Sequence, residues 1–373
     1  MASSNDDRIA RERRFPWLTL IARMRFRSTL DPRKVALAAV GLLVIQMGWS
    51  GLDWLFGTPA RAWTVLDPGE QGPNRALGWD FASINHMFLA PLGLGPALAW
   101  GSFSGGMGWR GVVRGVLAIP WFYGIGGLVG GAICRMIMVE IGRGGRVGLR
   151  EAMGLSWRSR ASVGLAPLGL VLLLMVCAGL LALYGLIYRI PVIGPAIGGL
   201  GLVVPLALGF LMTLIGIVLF LGWPLMLAAV ASGADDALDV TSRVISYLQQ
   251  KLATMVIPLA YAYVMGILGL ALIRLIETST IRIVLWSLSF GGPGHGMSLF
   301  SGDPTAGDVS ALAHMGWLAA VRLVVSGWVW CYYATTACYL YLWLRQEVDG
   351  APWDELDRPA PPRESPTAAG DGS

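Results

Sequence analysis

The most constraining feature of this 373-residue sequence is a set of six long runs from which charge is nearly absent. Residues 35–56, 111–134, 164–187, 202–229, 254–275 and 317–343 each hold at most one Asp, Glu, Lys or Arg. About twenty such residues in a helix cross the hydrocarbon core of a bilayer, which is about 30 Å thick. A water-soluble fold could not cover six of them. The composition agrees, since apolar residues make up 55% of the chain and charged ones only 14%, against roughly 25% charged in an ordinary globular protein. The expected class is all-α, a six-span transmembrane helix bundle.

The net charge of +5 matters through its placement. Counting Lys and Arg between the spans gives nineteen on the side of the N-terminus and four on the other (Arg61, Arg75, Arg189 and Arg282). That asymmetry places both termini in the cytoplasm of a bacterial inner membrane and gives the basic residues no reason to contact nucleic acid. The first thirty-four residues are polar and arginine-rich, without a signal-peptide pattern, and form a basic amphipathic segment over 1–34. A seventh, shorter run, residues 87–109, is broken by Pro91, Pro96 and Ser104-Gly105-Gly106 and reads as interfacial or re-entrant.

Three amphipathic stretches are expected as cytoplasmic interfacial helices. In the first, Trp17, Leu20, Ile21 and Met24 share a face; in the second, Leu149, Met153 and Trp157 do; in the third, Leu238, Ile245, Leu248 and Leu252 oppose Asp236, Asp239, Arg243 and Ser246. Each precedes two spans, which suggests a threefold parallel pseudo-repeat. The transmembrane domain covers 35–345, and 346–373, rich in Pro and acidic residues, is expected to be a disordered cytoplasmic tail.

Residues that carry chemistry elsewhere are sparse. Cys134, Cys177, Cys331 and Cys338 lie in or beside apolar runs without metal spacing, and read as small buried hydrophobes. His86, His295 and His314, with Asp303 and Asp308, fall on one side of the expected topology but lack any HxxxH or HExxH pattern. The run Gly291-Gly292-Pro293-Gly294-His295-Gly296 lacks the Lys-Ser/Thr ending of a phosphate loop. No cofactor, metal site or catalytic constellation is expected, so the chain reads as a non-enzyme. Arginines at or within spans are the sharper candidates: Arg135, Arg322, Arg114 and Arg274 as contacts for an anion or a lipid headgroup, with Glu140 and Glu277 nearby in sequence. Gly126, Gly127, Gly130 and Gly131 form small-xxx-small pairs suited to close helix packing.

Several motifs resemble an uncharacterised family of polytopic inner-membrane proteins of planctomycete-type bacteria. They are Leu30-Asp31-Pro32-Arg33-Lys34, Gly130-Gly131-Ala132-Ile133 with Arg135, Gly222-Trp223-Pro224-Leu225-Met226, the series Asp236, Asp239, Ser242, Arg243, Ser246, Tyr247, and Val348-Asp349-Gly350. The resemblance runs over nearly the whole chain and departs after Tyr247, where Gln249-Gln250-Lys251 replaces a proline-containing turn. It implies no activity. The layout is also distantly similar to membrane domains that precede some glycerophosphodiester phosphodiesterases, without their catalytic domain.

Asp236, Asp239, Ser242, Arg243, Ser246 and Tyr247 form a candidate docking face for a cytoplasmic or membrane protein partner, with membrane lipids as the other expected partner. Asp236 suits a helix N-terminus and Asp239 can pair with Arg243 one turn on. The leading expectation is a membrane scaffold or accessory subunit; the alternative is a permease or a transporter handling lipid or anions.

Overall fold

The computed structural model describes residues 16–24, 26–56, 84–85, 87–89, 109–189, 199, 201–233, 236–290 and 309–356. Among them the regular elements are all helical. In chain order they are α1 (Pro16–Arg23), a 3-10 turn (Phe26–Leu30), α2 (Pro32–Phe56), α3 (Trp109–Arg143), α4 (Leu149–Arg158), α5 (Arg160–Gly185), a second 3-10 turn (Leu186–Arg189), α6 (Val203–Ala231), α7 (Ala237–Ser289) and α8 (Val309–Asp349).

Five helices, α2, α3, α5, α6 and α7, are long and apolar enough to cross a membrane. The sixth expected run falls inside α8, whose 41 residues carry Trp, Tyr, Ser and Thr where the others carry Leu and Val. Its position explains the difference. From Val325 to Arg345 nearly every residue is buried, with Cys331, Cys338, Tyr341 and Leu344 at 0% exposure, because α2, α3, α6 and α7 all pack against it. A helix enclosed by protein can use polar and aromatic side chains that a lipid-facing helix cannot. α5 and α6 show the opposite pattern. Leu172, Val176 and Leu183 of α5, and Val203, Leu206 and Phe210 of α6, are all exposed. α6 turns inward only over its last third, where Gly222 to Ala231 is buried apart from Pro224.

The helix starts follow local chemistry. Asp31 caps α2, its Oδ1 accepting from the Arg33 N–H at 3.0 Å, while Asp236 does the same for Leu238 at 3.3 Å at the start of α7. α8 ends at Gly350, whose φ of 69° is accessible at little cost only without a side chain.

The three amphipathic stretches meet the bundle in different ways. α1 does bury Leu20 and Met24, but against α7 and α8, so that its apolar stripe meets protein. α4 buries the small residues Ala152 and Ser156 and leaves Leu149 and Trp157 exposed. Small side chains win this contact because the partner is Gly131 of α3: a Cβ there would meet Ser156 Oγ at 2.6 Å. The third stretch is no separate helix, since α7 runs unbroken for 53 residues through Pro258. Its buried face is Val240, Val244, Tyr247 and Leu248, with Leu238 and Leu252 exposed. The order short helix, long helix, long helix therefore occurs twice, and the third time the first two members are fused.

The chain does not leave the fold at Gln346. α8 continues to Asp349, and residues 351–356 fold back so that Leu356 is 3% exposed. Arg143 donates to the Leu356 carbonyl at 3.0 Å, Arg345 to that of Glu355 at 2.7 Å, and Arg23 lies over the Trp353 ring at 4.8 Å. Residues 357–373 lie outside the described residues.

Glycines set how closely the helices approach. A Cβ on Gly327 of α8 would sit 2.9 Å from the Val35 carbonyl oxygen and 3.1 Å from the Ala39 nitrogen, both backbone atoms of α2. Gly127 and Gly130 face Val163 of α5 and Leu227 of α6 at 2.5 and 2.7 Å by the same measure. The glycine pairs of α3 thus serve packing within the bundle. Replacing Gly327 with Leu is expected to cost on the order of 1–3 kcal/mol by overpacking, read as a lowered thermal midpoint in detergent. Gly209→Ala, where nothing lies within 4 Å, should leave the midpoint unchanged or raise it. Equal midpoints for the two variants would contradict the α2–α8 contact.

Candidate functional site

The charged residues of the long helices fall into two layers. Lys34 and Asp53 are 19 residues apart on α2, Arg114 and Arg135 are 21 apart on α3, and Lys251 and Arg274 on α7, like Arg322 and Arg345 on α8, are 23 apart. At about 1.5 Å per residue these intervals are roughly 28–35 Å, close to the hydrocarbon thickness of about 30 Å. No Asp, Glu, Lys or Arg lies between the members of any pair.

The pairings across helices show that the layers are real. At one end Lys34 bonds both Glu140 of α3 and Ser28, and Ser28 also donates to Glu140 at 2.7 Å. Arg135 donates to the Ala231 carbonyl at 3.0 Å, which satisfies an acceptor at the C-terminus of α6 and opposes the negative end of its dipole. Lys251 pairs with Glu347 at 3.5 Å. At the other end Arg114 is bonded to Asp53, and Arg274 pairs with Glu277 at 2.6 Å, with Glu277 only 7% exposed.

α7 and α8 run antiparallel in a register fixed by Tyr247 with Asp349, Lys251 with Glu347, and the Tyr332 hydroxyl with the Ala262 carbonyl at 2.6 Å. Continuing that register puts half-buried Arg322 at the level of residues 274–277. All four candidate arginines, Arg114, Arg135, Arg274 and Arg322, therefore belong to the edges of the apolar slab. None lies at its middle, where a charge would be far more costly.

The middle is filled with rings. Trp223 of α6 meets Trp330 of α8 at 5.7 Å and Tyr123 of α3 at 5.4 Å, both edge to face, and Phe122 touches Trp223 at 5.2 Å. Trp223 and Trp330 also surround Gly126, so this glycine makes room for them.

The candidate docking face divides in two. Asp236, Asp239 and Ser242 are exposed. Arg243 is turned back along the helix to Asp239 at 2.8 Å, its side chain 17% exposed. Ser246 accepts from Gln250 at 2.8 Å, and Tyr247 is 2% exposed, bonded to Asp349 and packed on Tyr341. The two sequence motifs around Tyr247 and Asp349 thus meet, joining α7 to α8, while Asp236, Asp239 and Ser242 remain exposed outside.

The structure describes no metal-binding geometry for the histidines. His86, His295, Asp303 and Asp308 lie outside the described residues, and His314 falls in the first turns of α8. Among the described residues no three His, Cys, Asp or Glu gather as a metal site. The residues that the sequence reading missed are Ser28, Trp353 and Leu356; Trp353 and Leu356 were the signal, as two large apolar residues in an otherwise polar tail.

No protein-family model, curated protein or solved structure matches the chain.

The Arg114–Asp53 pair is buried on both sides, at 7% and 14% side-chain exposure. Removing Arg114 takes its close cationic partner from Asp53, so Arg114→Met should cost on the order of 1–3 kcal/mol, while Arg114→Met with Asp53→Leu should recover much of it. Unfolding midpoints of the single and double variants test this, and strict additivity would argue against the pair. In the same assay Tyr247→Phe should cost about 1–3 kcal/mol by leaving Asp349 short of its donor. Asp349→Asn should then add little to the Tyr247→Phe background.

Proposed function

We propose that this protein is an integral membrane scaffold or accessory subunit with six spans, α8 being the sixth, and with no enzymatic activity of its own. The observation that carries the proposal is the filled aromatic centre around Trp223 and Trp330, bounded above and below by closed ion pairs. Alternating access needs a polar path to the midplane that opens and closes. A centre packed with interlocking rings favours a structure that holds its shape.

In this reading the layer of Lys34, Arg135, Lys251 and Arg345 faces the cytoplasm of a bacterial inner membrane, in keeping with the excess of Lys and Arg on that side. Exposed Leu149 and Trp157 of α4 dip into the headgroup region. The partner surface is the exposed start of α7, where Asp236, Leu238 and Asp239 stand clear of the bundle. Of the rest of the docking series Ser242 is exposed as well, while Arg243, Ser246 and Tyr247 bond within the fold.

Topology is testable because all four native cysteines are buried. A membrane-impermeant maleimide should label Glu151→Cys only when the cytoplasmic face is accessible and Arg282→Cys only from the other side, beyond the Arg274 layer; the reverse would invert the proposed orientation. For function, the protein is purified in mild detergent and examined by native mass spectrometry. A stoichiometric protein partner that is lost in the Asp236→Lys, Asp239→Lys double variant supports the scaffold. A lone protein that, once reconstituted, moves an anion across vesicles and stops doing so as Arg322→Gln overturns it.

A further inference from the structure

Beside Pro224 a cavity of about 220 Å³ lies between α6, α7, α8 and the short described piece around Phe88. Its walls include Phe220, Pro224, Met255, Leu259, Tyr333 and Ala337. Proline at 224 removes the N–H that would bond the Phe220 carbonyl and so loosens the helix at this turn. Phe220, Leu221 and Leu259 are half-buried, so the cavity reaches the outer face of the bundle. Next to it α6 and α7 present Ile217, Val256 and Ile257 outward.

Three tyrosines stand in the wall, and each hydroxyl is already engaged. Tyr263 bonds Asn85 at 2.7 Å, Tyr332 the Ala262 carbonyl at 2.6 Å, and Tyr333 the Phe88 carbonyl at 2.7 Å. They offer ring surface to an occupant and no polar group. Thr336 Oγ1 has no hydrogen-bond partner among the described residues, and it is the one wall hydroxyl that would discriminate between kinds of occupant.

The cavity also has a direction. On α7, Lys251, Met255, Leu259 and Ala262 follow one another at intervals of three or four residues and so lie on one stripe; on α8, Glu347 and Leu340 do the same two turns apart. The stripe begins at the Lys251–Glu347 pair in the charged layer. From Lys251 to Ala262 is 11 residues, or roughly 16 Å of helix, which is about the depth of one leaflet's hydrocarbon. A basic group at the headgroup level, above an apolar slot one leaflet deep and open to the side, has the layout of a phospholipid.

We propose that this cavity binds one acyl chain of a phospholipid from the leaflet on the Lys251 side, with the phosphate beside Lys251. The occupant is a resident lipid between α6 and α7. The proposal rests on the reading that the bundle spans the membrane, but it does not depend on the scaffold role.

The full chain is reconstituted into vesicles of phosphatidylethanolamine and phosphatidylglycerol at three to one, doped with phosphatidylglycerol bearing a diazirine near the end of one chain. After photolysis, adducts are mapped by peptide mass spectrometry. At least fivefold more adduct is expected on 253–263 and 331–341 than on the exposed α5 surface around Leu172 and Leu183, which reports bulk lipid. Ala337→Phe, or Leu259→Trp from the half-buried wall should Ala337→Phe fail to fold, is expected to abolish that excess and leave α5 labelling unchanged.

Lys251→Gln should reduce the excess severalfold, and a diazirine fatty acid should label the cavity less than the phospholipid does. Thr336→Val should leave the labelling as it is. Cavity labelling no higher than on α5, or unchanged on filling, overturns the proposal. Preference for the fatty acid overturns the phospholipid as source, and loss of labelling in Thr336→Val shows an occupant with a polar atom at mid-depth instead. A chain that is stripped from the vesicles by alkaline carbonate refutes the membrane-spanning reading itself, an outcome separate from insertion without enriched labelling.

Discussion

The enclosure of α8 by other helices is the constraint on which the rest of the structure depends. Inside a bilayer the hydrophobic effect gives helices no reason to associate, because lipid tails are as apolar as leucine; close packing and interhelical hydrogen bonds must do it. α8 supplies both. Gly327 lets its backbone approach that of α2, Trp330 locks into Trp223 and Phe122, Tyr332 and Tyr333 donate to the Ala262 and Phe88 carbonyls, and Asp349 accepts from Tyr247 of α7. α5 and the outer two thirds of α6 keep a broad exposed face of Leu, Val and Phe beside their contacts with the bundle.

The charged layers follow from the same solvent. A charge that must sit near hydrocarbon is held either at its edge or against a partner, and here the two conditions coincide. Lys34 is 2% exposed yet reaches Glu140, and Arg114 is 6% exposed against Asp53. These pairs join α2 to α3 at both ends, so the hairpin is clamped above and below a charge-free slab.

Much of the architecture was legible in the sequence, because charge-free length and helix caps are local properties. The Asp31 and Asp236 caps, the glycine packing of α3 and the five long apolar helices needed only short-range patterns. The positions of the candidate arginines became meaningful once the register between helices was known: Arg322 looks isolated along the chain and turns out to share a level with Arg274 and Glu277. The faces of α4 and of the start of α7 depend on neighbours as well as on pattern. Leu149 and Trp157 share an exposed face, as an interfacial helix requires, and contact with a glycine-rich neighbour selects the small Ala152 and Ser156 for the buried one, whereas Leu248 is buried apart from Leu238 and Leu252, with which the pattern had grouped it. Tail residues 351–356 were also misjudged, because a few apolar anchors such as Trp353 and Leu356 outweigh polar composition when basic side chains are waiting to bond their carbonyls.

The innermost of the described helices also follows all the others along the chain. Until α8 emerges, the rings of Phe122, Tyr123 and Trp223 have no Trp330 to close on, and Arg143 must wait through 213 further residues for the Leu356 carbonyl. If α8 is the sixth span, as proposed above, it enters a cleft already lined by protein. That order of events relaxes the demand for a strongly apolar sequence, since a helix entering such a cleft exchanges translocon walls for aromatic side chains and never has to dissolve alone in lipid. Its tyrosines, threonines and tryptophans are those of a closing piece, and the C-terminal fold-back over α3 acts as the latch that is set after it.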